Sequence, residues 1–183
     1  FWVNLGKLAQ MPYSLLEVVT FHETLPGHHL QFALAQRNDR LVPLQRFSLF
    51  NGYIEGWATY AEGLAAEAGL YSMPEAAQRT RLQVELMRAV RLVIDTGLHA
   101  EGWSRHQGID YFVEVLHSDL ASASAEVDRY LAMPGQAAGY QVGLAHIRRL
   151  RDQALQRQGQ GFDLAAFNAR ILSEGALPLE LLR

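Results

Sequence analysis

Cysteine is absent from the chain, so thiolate metal ligands, thiol nucleophiles and disulfide staples are all excluded. Positive charge is not in excess: 16 Lys and Arg stand against 19 Asp and Glu, a formal net charge of −3, and no basic stripe is present to follow a nucleic-acid backbone. No apolar run approaches the roughly 20 residues of a membrane-spanning helix, and the opening residues lack the pattern of a signal peptide. Runs of β-branched residues with two-residue alternation are missing, which removes the signature of a sheet. There is no internal repeat, low-complexity run or linker, so residues 1–183 read as a single helical domain.

What remains is helical. Alanine, leucine, glutamine, arginine and glutamate dominate, and apolar residues recur at helical spacing. The pattern predicts an all-α, multi-helix bundle with helices over 13–36, 43–69, 74–101, 104–117, 122–131, 134–158 and 163–173. Pro74 suits a first helical turn, and Asp163 can cap the last helix.

The chemistry concentrates in His22-Glu23-Thr24-Leu25-Pro26-Gly27-His28-His29. Imidazoles and carboxylates are zinc ligands, and a zinc hydrolase also needs a carboxylate to handle the attacking water's proton. The spacing departs from H-E-x-x-H, whose histidines share one helix face. At about 100° per residue, His28 lies roughly 240° round an ideal helix from His22, while His29 returns to the same face about 10 Å further along. Pro26 cannot donate to the His22 carbonyl and clashes with it, so the helix must kink or bulge there. A π-like bulge at Pro26-Gly27 favours His28 as second ligand, with His29 as the alternative. The competing reading is a set of histidines decorating a helix end, where the dipole favours them.

A second cluster runs from Asn51 to Glu62. Glu55 and Glu62 are seven apart and share a helix face. A carboxylate on an apolar, alanine-rich helix is costly to bury without a partner, and a metal or an orienting histidine would serve. Glu55 is placed to be a third ligand from a separate helix, and Glu62 to accept the other N–H of a ligand histidine. Otherwise both are solvated surface charges.

These residues carry a resemblance. The stretch from His22 to Gln31, followed by Glu55-Gly56-Trp57-Ala58-Thr59-Tyr60-Ala61-Glu62, is similar to the signature of the bacterial domain of unknown function 885 family. Asp95 to Trp103, Met133 to Tyr140 and Gly175 to Leu179 fit the same family in the same order. Its members resemble helical gluzincins such as carboxypeptidase Taq and angiotensin-converting enzyme.

The resemblance implies the metal-bearing half of a gluzincin-like peptidase, holding one zinc ion on His22, His28 and Glu55 and acting on a peptide substrate. Glu23 would match the general base, and His99 and Tyr140 the donors to the tetrahedral intermediate. Because family members are several times longer and Phe1 opens the chain without methionine, the sequence is expected to be the C-terminal catalytic portion of a longer chain. The N-terminal half of that chain would then be a partner. Two other functions fit: a helical scaffold that binds peptide without hydrolysis, and a metal hydrolase acting on esters or non-peptide amides.

Arg88, Arg91 and Asp95 fall on one polar stripe of the helix over 74–101. An arginine there could grip a substrate carboxylate; the plainer reading is a surface ion pair between Arg91 and Asp95, four residues apart. Gln136, at a helix opening, is a weaker candidate donor to substrate.

Overall fold

Pro26 and Gly27 divide what the sequence reads as one helix over 13–36 into two. The structure, a computed structural model, describes residues 11–183; Phe1, on which the fragment expectation partly rests, lies outside them. Nine α-helices and no strand occur among the described residues. They are α1 (Tyr13–Glu23), α2 (His28–Arg37), α3 (Pro43–Phe47), α4 (Asn51–Glu67), α5 (Pro74–His99), α6 (Arg105–Leu116), α7 (Leu120–Ala132), α8 (Gln136–Gln158) and α9 (Leu164–Ser173). The all-α helical bundle expected from the sequence is what is found.

Two boundaries differ for local reasons. The helix expected over 43–69 is interrupted because Ser48 takes an extended conformation (φ −72°, ψ 151°), so α4 restarts at Asn51. Leu120, rather than Ser122, begins α7, because the Asp119 side chain accepts from the Ser122 N–H at 2.9 Å and caps the helix.

The bundle is organised around α4 and α8. Tyr53, Ile54, Trp57 and Tyr60 of α4 pack with Leu144, Ile147 and Leu150 of α8 and with Ile171 and Leu172 of α9. A second core joins Val90 and Ile94 of α5 to Ile109, Phe112, Val127, Tyr130 and Ala137 of α6, α7 and α8. Each large apolar side chain so buried contributes about 1.5–3 kcal/mol.

Along their contact, α4 and α8 meet backbone to backbone. A Cβ added at Gly143 would stand 1.8 Å from the Gly52 carbonyl oxygen, and one at Gly56 would stand 2.5 Å from the Gly143 backbone. Such an approach is open only to glycine. At the head of the seam, Asn51 Nδ2 donates to the Gln136 carbonyl at 2.8 Å. This registers the first turn of α8 against Glu55, one turn along α4.

Candidate metal centre

The turn between α1 and α2 is built to bring two histidines together. α1 stops at Glu23 and α2 begins at His28, so the expected π-like bulge in one continuous helix is replaced by a full break. Gly27 makes the break possible: a Cβ there would lie 1.9 Å from the His22 carbonyl oxygen. The chain therefore folds back over His22, and Trp57 Nε1 pins the turn by donating to the Pro26 carbonyl at 3.0 Å.

Three ligand atoms converge as a result. His22 Nε2 and His28 Nε2 each lie 3.4 Å from Glu55 Oε2. The imidazoles meet edge to face, with centroids 4.7 Å apart and planes at 84°. One ligand-capable atom from each of His22, His28 and Glu55 falls within 4.8 Å of the other two. His29 is exposed and outside this group, so of the two histidines the turn brings only His28 beside His22 and Glu55.

The environment fits a zinc ion. Glu55 Oε2, the oxygen that faces both imidazoles, is buried without a hydrogen-bond partner, an arrangement that is costly unless something else satisfies it. Ligand bonds of about 2.0–2.1 Å in a tetrahedron put neighbouring ligand atoms about 3.3–3.4 Å apart, which is the separation seen between each imidazole nitrogen and the carboxylate oxygen. Two imidazoles and one carboxylate are also a donor set that leaves a fourth position open.

Behind His22 stands a buried charged pair. His22 Nδ1 lies 2.7 Å from Glu62 Oε1. With Nδ1–H donating to that carboxylate, the Nε2 lone pair faces Glu55. Arg88 grips Glu62 with both terminal nitrogens, Nη1 to Oε2 at 2.9 Å and Nη2 to Oε1 at 2.7 Å. Burial would raise the Glu62 pKa, but His22 and Arg88 hold it below the ordinary glutamate value. Glu55 behaves likewise: burial pushes it up, and the neighbouring His22 and His28 bring it down to about 2. For His22 burial disfavours the cation, yet Glu55 and Glu62 outweigh it and the pKa is raised.

Tyr140 is brought to the same place. Its ring stacks on His22 with centroids 6.4 Å apart and planes at 23°, and the Arg88 and Arg91 guanidinium carbons lie 5.4 and 5.5 Å from its centre. Glu23 follows His22 directly but is exposed, and its carboxylate belongs neither to the ligand group nor to any ion pair among the described residues. His99 is not brought to the centre. It lies eleven residues beyond Arg88, about 16 Å further along α5, where its Nε2 is 3.1 Å from the Tyr130 carbonyl oxygen and 3.4 Å from Asp95 Oδ1.

The polar stripe of α5 is not a surface feature. Arg88, Arg91 and Asp95 are all buried, because this face of α5 lies against neighbouring helices rather than water. Arg91 donates to Tyr130 and Glu126 instead of pairing with Asp95, and Asp95 accepts from the Gly135 N–H at 3.1 Å. Sequence reasoning missed the Arg88 clamp, whose partner is 26 residues away in the chain.

Comparison with solved structures gives close matches. A provisionally named lipoprotein from Colwellia psychrerythraea is 45% identical, with a TM-score of 0.93; the match covers 99% of this chain and 31% of that one. A provisionally named lipoprotein of unknown function from Shewanella oneidensis is 26% identical, with a TM-score of 0.83 over 96% of this chain and 32% of that one. The chain thus spans about a third of the length of the solved relatives it matches. No curated protein matches it. Among the described residues no helix is long and apolar enough to cross a membrane. A family of bacterial proteins of unknown function, DUF885, matches residues 1–183, and the chain belongs to that family.

Proposed function

We propose that the protein is a zinc-dependent hydrolase of peptide bonds, of the helical gluzincin kind, with His22, His28 and Glu55 as ligands. The observation that carries this reading is the meeting of both Nε2 atoms with one unpartnered carboxylate oxygen, each at 3.4 Å. When bound, zinc acts as a Lewis acid and brings the pKa of an attacking water towards about 7.

The chain's own residues supply the rest. Glu62 holds the Nδ1 proton of His22, so that the ring keeps its Nε2 lone pair forward. Glu23, whose carboxylate has no ion-pair partner among the described residues, takes the water's proton and returns it to the leaving amine. Tyr140, stacked on His22, gives a hydrogen bond to the oxyanion that forms as the carbonyl is attacked. His99, already committed to the Tyr130 carbonyl, ties α5 to α7 and takes no chemical part.

The test is made on the full-length protein with peptide, ester and non-peptide amide substrates. The reading expects one zinc per chain, cleavage of peptides in preference to the other bonds, and loss of activity with chelator or with Glu23→Gln. Hydrolysis that survives both treatments overturns the mechanism. Stoichiometric zinc without hydrolysis of any of the three leaves a peptide-binding scaffold, and faster cleavage of esters or amides moves the substrate class.

A further inference from the structure

Gln136 opens α8, and its side-chain amide joins three groups. The Oε1 atom accepts from Arg129 Nη2 at 2.9 Å. Since arginine can only donate, this contact decides which end of the amide is oxygen. Nε2 therefore faces the centre, donating to Glu55 Oε1 at 3.3 Å and to the Tyr140 hydroxyl oxygen at 3.3 Å. The backbone is anchored separately, by Asn51 on the Gln136 carbonyl and by Asp95 on the Gly135 N–H. The amide is thus delivered from a fixed point, as a supporting group must be.

The two oxygens of Glu55 are thereby made unequal. Oε2 faces both imidazoles and has no hydrogen-bond partner, whereas Oε1 is occupied by Gln136. A carboxylate with one oxygen tied to an amide offers the other alone to a cation. At Tyr140 the same NH₂ group fills an acceptor site on the phenol oxygen, leaving the hydroxyl proton to be given elsewhere.

We infer that Gln136 is a positioning residue that confines Glu55 to metal binding through Oε2 and reserves the Tyr140 hydroxyl proton for a substrate carbonyl oxygen. Binding through one oxygen preserves the open position that separates a hydrolytic site from a closed structural one. The inference rests on the zinc reading of His22, His28 and Glu55 and adds a determinant of how that site is held.

The experiment compares full-length wild type with Gln136→Ala, Gln136→Met and Arg129→Met. The Met variant at 136 keeps the volume of the side chain while removing the donor, so lost packing is separated from lost hydrogen bonding. Both Gln136 variants are expected to weaken zinc binding roughly 10- to 100-fold. X-ray absorption at the zinc edge should gain an oxygen neighbour as Glu55 closes onto the ion with both oxygens. The kcat should fall by about 10² to 10³ with KM little changed, and Arg129→Met should give the same effects at smaller size. Wild type and variants that bind one zinc with equal affinity and equal numbers of oxygen neighbours overturn the inference and leave the zinc reading intact. A wild type that binds no zinc overturns both.

Discussion

Glu62 and Arg88 face each other through two parallel hydrogen bonds of 2.7 and 2.9 Å, with only 2% and 7% of their side chains exposed. A pair so buried is stabilising only while both members and their hydrogen bonds are present, because either charge alone would be left unsolvated. Here the pair is also aimed: the Glu62 oxygen nearer His22 accepts a hydrogen bond from Nδ1–H. Fold stability and the orientation of the His22 ring therefore share the same atoms.

Breaking the pair from one side should be costly. Arg88→Met is expected to lower unfolding free energy by about 3–5 kcal/mol, measured by denaturant titration of the metal-free protein. Glu62→Gln keeps the shape and should weaken zinc binding by roughly 10- to 100-fold through His22. A double replacement by apolar residues that is less destabilising than Arg88→Met alone would show that the stranded charge, and not lost packing, sets the cost. Additive losses would contradict it.

The two neighbouring histidines offer a sharper contrast. His28 contributes Nε2 to the convergent group, while His29 is exposed. His28→Ala should reduce zinc affinity by more than about 100-fold, beyond the effect of outer-sphere changes, and His29→Ala should leave it unchanged. Titration against a competing chromophoric chelator reads both. The reverse order would move the ligand.

The helices were legible because their apolar residues recur at a period that survives any particular packing. The break at 24–27 was only half legible: Pro26 announced a disturbance, but a bulge and a complete stop satisfy proline equally well. What decided between them was the approach of Gly27 to the His22 carbonyl, a contact made by the turn itself. The sequence offers Arg88 and Arg91 as grips for a substrate carboxylate, or Arg91 as the surface partner of Asp95, because their actual partners, Glu62 and Glu126, lie on other helices. The motif around His99 does not reveal its partners, the Tyr130 carbonyl and Asp95, because one lies on another helix and the other is set by the packing of α5.

The glycine seam between α4 and α8 is open to direct test. Gly56→Ala and Gly143→Ala each force a methyl group into backbone, for which repacking of a flexible side chain offers no relief. Each should destabilise the fold by about 1–3 kcal/mol or more. Gly63→Ala, also on α4, meets nothing within 4 Å and should raise stability by about 0.5–1 kcal/mol through helix propensity alone. Thermal denaturation of the three variants separates the seam from a general effect of glycine in helices. Equal shifts for all three would contradict the close contact.

A metal held by His22, His28 and Glu55 would compete with protons for the same atoms, so the proposed site carries a pH profile. In the metal-free protein burial opposes ionisation of Glu55, but His22 and His28 hold it at about 2 against an ordinary value of 4.5. Its folded value is the lower one, so its contribution is complete above about 4.5 and is lost as pH falls towards about 2. His22 runs the other way. Burial opposes its charge, Glu55 and Glu62 outweigh burial, and its pKa rises above 6.5. That contribution is complete below about 6.5 and disappears as pH climbs through the folded value. Chelated protein should therefore be most stable between about pH 4.5 and 6.5, and the extra stability conferred by zinc should grow as pH rises above that window, where protons no longer hold the imidazole nitrogens. Tm measured across this range with chelator and with zinc gives both curves. A zinc increment that shrinks from about pH 6 to about pH 8 would mean that the ion binds somewhere other than these imidazoles.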